Sequence, residues 1–269
     1  MQYTRRDVVA GLPVLMAFGL AGCKTAKATA DNTTEATKKA SEALRITAAQ
    51  TLDGYAVNST TADENTILVN TTDEVIITNS TVAKTGDSDG GDNCNFYGQN
   101  AAVLVEGGST TTLTNLTVTS DAKGANGIFS YGGNGGHNGG DGDGTKVIIK
   151  DTTITTTGDG SGGTMTTGGG TTNAYNLTVT TNGQSSAAIR TDRGGGTVYV
   201  DGGTYTSNGL GSPAIYSTAE IHVANAALVS NLSEGVCIEG LNSIELTDCD
   251  LTANNTKCNG NATFMDTIM

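Results

Sequence analysis

From about residue 50 onward, short apolar runs alternate with polar, glycine-rich stretches. VIIT, TVYV, EIHV and SIEL alternate in character with period two, the mark of a strand with one buried face. No amphipathic helical stretch follows residue 47, and the only helix the pattern suggests spans residues 34–45. One short phrase recurs as IITNSTV, LTNLTV, IKDTTI, AYNLTV, VDGGTY, VANAAL and LTDCDL. Aligned on the residue before its second apolar half, it gives Asn79, Asn115, Asp151, Asn176, Gly202, Asn225 and Asp248, at intervals of 36, 36, 25, 26, 23 and 23. A period of 20–50 residues marks a stacked or radial repeat.

Within the phrase, positions one, four and six are apolar or small, as in Leu113, Leu116 and Val118. Plain alternation would give one, three and five, so the chain turns a corner at the third residue. A sharp corner wants left-handed backbone, which Gly takes freely and Asn and Asp tolerate best. Stacked Asn side chains would also bond one another along the corner. Thirteen residues after Asn115, Asn176, Gly202 and Asn225 stand Ile128, Ile189, Ile215 and Ile238, and Met165 follows Asp151 by 14. The spacing predicts two fixed strands per unit, two sheets meeting at the corner, and inserts such as GGNGGHNGGDGDG between units.

These features predict an all-β chain, a right-handed parallel β-helix (solenoid), over residues 48–269. The asparagine corner resembles that of secreted bacterial β-helix proteins, the broad pectate-lyase-like group. The resemblance covers about residues 50–260 and implies polysaccharide chemistry on an outer sheet face. The chain stops soon after Asn261, in a rung begun and not closed. It reads as truncated there, or else Phe264 and Ile268 form a makeshift cap; a complete chain would self-associate at that edge.

The formal net charge is −13, with 14 Lys and Arg against 27 Asp and Glu. That excludes nucleic acid as a partner, which needs basic clusters. Residues 1–22 carry Arg5 and Arg6 before an apolar stretch at residues 8–22, too short to span a membrane and suited to a signal peptide. The stretch ends in Leu20-Ala21-Gly22-Cys23, which resembles the bacterial lipobox. The resemblance implies lipidation of Cys23 and an exported chain, lipid-anchored to a bacterial membrane on its extracytoplasmic side. Thr4-Arg5-Arg6 resembles a twin-arginine signal in part, and an ordinary secretory leader fits as well. Residues 23–47 read as a polar tether.

Arg190, Asp192, Arg193, Tyr216 and Glu239 form the candidate ligand-binding face, since Arg190, Tyr216 and Glu239 each follow an inward Ile on successive units. The bland alternative is a salt-bridged surface ladder. Asp141 and Asp143 sit in a Gly-rich loop loosely like a calcium-binding repeat, and calcium is the cation such oxygens would take. No cofactor is required by any motif. Cys94, Cys237, Cys249 and Cys258 allow a disulfide after export, with Cys249 expected as a buried thiol. With no convergent catalytic set in view, the sequence favours a membrane-tethered lipoprotein with a binding or adhesive role towards carbohydrate, and leans away from an enzyme. The alternatives are a polysaccharide lyase or glycoside hydrolase working on the outer face, and a purely structural surface protein.

Overall fold

Seven residues in left-handed backbone organise the chain: Asn79, Asn115, Asp151, Asn176, Asn225 and Asp248 at φ between 47° and 55°, and Gly202 at 76°. The computed structural model describes residues 39–41, 43–135 and 140–255. Within them each left-handed residue follows one strand segment and precedes another. Their side chains bond along the stack: Asn79 Nδ2 donates to Asp53 Oδ1 at 2.7 Å, Asn115 to Asn79 at 2.7 Å and Asn176 to Asp151 at 2.9 Å. Gly202 has no side chain to offer, and Asn225 reaches instead to Asp201 Oδ1 at 2.8 Å.

All strand pairs are parallel, and each strand pairs with its counterpart in the next repeat. The expectation of an open right-handed parallel β-helix with two sheets meeting at the corner is corrected by the pairing. The corner does not separate two sheets. Gly170–Thr181 and Gly196–Ser207 run through it as single twelve-residue strands. Gly170–Thr181 therefore pairs with Lys146–Lys150 before its corner and with Thr153–Thr156 after it. The hydrogen-bonded network is one fifteen-stranded sheet. Its path enters the second half of Gly170–Thr181 from Thr153–Thr156, Thr117–Ser120 and Thr81–Lys84, then doubles back from the first half through Lys146–Lys150, Thr110–Thr114 and Glu74–Thr78. This sheet wraps two sides of the core, and a separate eight-stranded parallel sheet, from Leu44–Ile46 to Val236–Ile238, closes the third. The result is a near-closed parallel β layer around one core.

The core consists of columns of like residues in register. Ile77, Leu113, Ile149, Ala174, Val200 and Val223 stack before the corner. Val57, Val82, Val118, Ile154, Val179, Tyr205 and Leu228 stack after it. Burying each Val, Leu or Ile contributes roughly 1.5–3 kcal/mol. A polar seam closes the turn into the eight-stranded sheet. Ser161, Ser186 and Ser212 each accept a backbone N–H from the preceding repeat, so buried amides there are satisfied.

Three further expectations change. Residues 39–41 and 44–46 are strands, so the helix suggested at 34–45 does not hold there, and residues 34–38 lie outside the described residues. Thr164, not Met165, stands in the inward column between Ile128 and Ile189. Val236, not Ile238, faces Ile215, because the connection in that repeat is two residues shorter. Met165 instead faces outward with Leu104 and Phe129, where the segment containing the single described helix, Asp92–Tyr97, buries them in a second small apolar cluster. Phe96 accepts a bond from Thr167 Oγ1 at 2.7 Å and Cys94 one from Asn126 at 3.3 Å, which fastens that segment to the sheet.

Candidate functional site

On a strand, residues two apart share a face. Glu220 and His222 therefore project together from Glu220–Ala224, and register puts Tyr199 on one side of His222 and Glu245 on the other. All four are on the solvent side of the fifteen-stranded sheet. The imidazole is held at both nitrogens: Nε2 lies 2.7 Å from Glu220 Oε1 and Nδ1 lies 2.9 Å from Glu245 Oε2. Its other contact is the Tyr199 ring, stacked nearly parallel. The bond to Glu220, followed by that to Glu245, raises the His222 pKa above the usual histidine value, against a smaller opposing effect of burial. Carboxylates facing both ring nitrogens favour the protonated form, in which each N–H donates to one of them.

Tyr199, His222 and Glu245 line an open groove of about 560 Å³, and Glu220 stands beside it. Lys146, Asn173, Tyr175, Tyr199, Asp201 and Glu245 are among its walls. Tyr175 and Tyr199 are 40% and 47% exposed, unusual for large rings in a chain with 4% aromatics. Exposed rings beside carboxylates are the materials of a sugar-binding surface: the rings offer flat apolar faces and the acids accept from hydroxyls.

The residues singled out from sequence fall elsewhere, on the outer side of the eight-stranded sheet. Arg190 and Tyr216 are direct cross-strand partners. Arg190 Nη2 is 3.0 Å from Asp192 Oδ2, its guanidinium is 5.9 Å from the Tyr216 ring centre, and Nη1 donates to Asn95 at 3.3 Å. Burial first, then a hydrogen bond to Glu239, pushes the Tyr216 phenol pKa up. Burial also raises the Asp192 pKa despite the adjoining Arg190. The Arg193 backbone N–H donates to Asp192 Oδ1 at 3.0 Å, but its side chain departs from this group: it lies 4.1 Å above the Phe96 ring and 3.8 Å from Asp92. Four of the five residues meet, and they spend their polar atoms largely on one another.

Asp141 and Asp143 are exposed, and Asp143 Oδ1 accepts from the Thr145 amide and hydroxyl. No group of three metal-ligating side chains occurs among the described residues. His137, Cys258 and the leader with Cys23 lie outside the described residues. Cys94, Cys237 and Cys249 are free thiols; Cys94 is buried and Cys249 half-buried against Val223. No helix among the described residues is long and apolar enough to cross a membrane.

No convergent catalytic set is visible along the sequence, which leans away from an enzyme on that ground. Glu220, His222 and Glu245 do converge, and the near-closed parallel β layer also speaks against that leaning, which is corrected; the membrane-tethered adhesive lipoprotein is not retained as the leading reading. The signal was present in the corner alignment: Tyr199, His222 and Glu245 each stand three residues before their corner, and Glu220 five. No family model matches the chain, and no curated protein or solved structure matches it either. The resemblance to the pectate-lyase-like group thus gains no support, and nothing is carried over from it.

Proposed function

We propose that the protein is a glycoside hydrolase whose substrate lies along the groove over Tyr175, Tyr199 and His222. The observation that carries this reading is the imidazole of His222 bridging two exposed carboxylates beside two exposed tyrosines. Hydrolysis of a glycosidic bond needs a proton for the departing oxygen and a base for the incoming water. Bonds of 2.7 and 2.9 Å on opposite sides of one ring hold Glu220 and Glu245 apart by the order of spacing that carboxylates flanking a scissile bond use, roughly 5–9.5 Å.

A sugar hydroxyl or ring oxygen entering the groove displaces one carboxylate from the imidazolium. The freed N–H then points at the glycosidic oxygen. The carbon–oxygen bond breaks as that oxygen takes the His222 proton; water adds to the anomeric carbon, and the remaining carboxylate takes the water's proton. Return of that proton to the imidazole restores the site. The stacked Tyr199 ring stabilises the charged imidazole by cation–π attraction.

The test is the fate of solvent oxygen. In heavy-oxygen water, hydrolysis places the label on each new reducing end. Products that carry a double bond and no label would replace hydrolysis with elimination. Loss of labelled product in both Glu220→Gln and Glu245→Gln, with the fold intact by circular dichroism, is the expected result.

A further inference from the structure

We infer that the groove accepts glycans without negative charge, either neutral chains or chains bearing free amino groups, and turns acidic ones away; this rests on reading the groove as a glycan site. Charge is unevenly distributed in the groove. Around His222 stand three carboxylates, Asp201, Glu220 and Glu245, against the one imidazolium. Glu220 and Glu245 are 54% and 66% exposed, so their charge faces whatever enters. Asp201 projects on the same face and is held by Asn225 through one oxygen only. Lys146, the cation in the groove wall, is three strands from His222, about 14 Å at the usual strand spacing. A Debye length of about 10 Å leaves it little influence there.

A uronate or sulfate at the centre of the groove would meet like charge on three sides, with no guanidinium to pair with. The cationic Arg190 group belongs to the other sheet and already faces Asp192 and Asn95. A hydroxyl, by contrast, donates to these carboxylates. A protonated amine pairs with them and is also attracted to the face of Tyr175, which remains exposed. The net charge of −13 adds a long-range bias in the same direction.

The experiment is affinity electrophoresis of the full wild-type chain through gels containing a neutral β-glucan, chitosan or polygalacturonate, run in the cold to keep any cleavage slow. Retardation by the glucan and by chitosan, with polygalacturonate bound about tenfold more weakly or less, is expected. Tyr199→Ala should abolish retardation by the glucan, which places binding in the groove. Asp201→Asn, which keeps an acceptor for Asn225, should narrow the gap between chitosan and polygalacturonate. Equal or tighter binding of polygalacturonate, or an unchanged gap in Asp201→Asn, overturns the inference. Selective retardation with no cleavage by the wild type would leave the inference standing and remove the hydrolase reading. Cleavage of polygalacturonate would do the reverse, and no retardation by any polymer would overturn both.

Discussion

The ring of Tyr199 lies flat on the imidazole of His222, with centroids 5.0 Å apart and planes 12° from parallel. The two are direct neighbours on adjacent parallel strands, and the strand spacing sets their separation. Stacking fixes the plane of the imidazole, and the two glutamates then fix its rotation within that plane. Tyr199→Leu keeps an apolar side chain on the strand but loses the aromatic face. It should raise KM for a glycan several-fold and lower the apparent pKa of His222 as read by NMR titration of the imidazole.

His222 titrates above the usual histidine value of about 6.5, chiefly through its bond to Glu220. A proton donor is active while protonated, so kcat/KM should fall as pH rises through that elevated value. Glu220→Gln removes the larger cause and should lower the His222 pKa as read by NMR titration of the imidazole. The same shift has a stability consequence with a definite sign: the folded form holds the proton more tightly than the unfolded chain. The added stability is complete below about pH 6.5 and disappears as pH climbs through the folded-state value. The side chain is 32% exposed, so solvent screens the effect and its size should be small.

Replacing Asn115 separates the two duties of a corner residue. Asn115→Ala must hold φ near 55° without Asn's tolerance and leaves Asn79 Oδ1 without its donor. The expected loss is about 2 kcal/mol, from roughly 1–2 for the backbone and up to about 1 for an exposed bond. Asn115→Gly relieves the backbone and loses only the bond, so urea unfolding should place it between the wild type and Asn115→Ala.

Lys84 is fully buried at a column position where neighbouring repeats have Ser59 and Ser120. Its ammonium donates to the carbonyls of Thr61 at 2.6 Å and Gly86 at 2.8 Å, and burial lowers its pKa. Ser120 serves its own turn in the same way, by donating to Ala125. Lys84→Leu strips the Thr61 carbonyl of its ammonium donor and leaves the Gly86 carbonyl only its bond from Asn100 at 2.9 Å, and should cost about 2–4 kcal/mol. Thermal unfolding that shows no loss would mean that water takes over the ammonium's role.

The corner was legible because its constraint falls on one residue type. Only Gly, Asn and Asp hold that backbone cheaply, so Asn79 to Asp248 align by eye. A second ladder lay in the same frame and was missed. Asn254 donates to Asn231 at 2.8 Å, Asn231 to Asn208 at 2.6 Å and Asn208 to Asn182 at 2.8 Å, each residue six after its corner. Asn is so common in the chain that this recurrence carried little contrast. The continuity of Gly170–Thr181 through Asn176 was not legible, since a left-handed residue can end a strand or merely bend it. Inward columns were readable from Ile and Val, but Thr164 occupies one of them and Met165 fooled the register. The groove was not readable from any single stretch. Glu220, His222 and Glu245 become neighbours only through the exact offset of two parallel strands, and Tyr175 and Tyr199 gain meaning only once they are seen to be exposed.

The most direct measurement is release of new reducing ends from a neutral glycan by the full chain, set beside His222→Gln. Steady release by the wild type is expected, with a fall of about 10²-fold or more in the variant and unchanged thermal unfolding apart from the small pH-linked difference. Equal release by both proteins, or none by the wild type across neutral and amino-bearing glycans, would contradict the hydrolase reading.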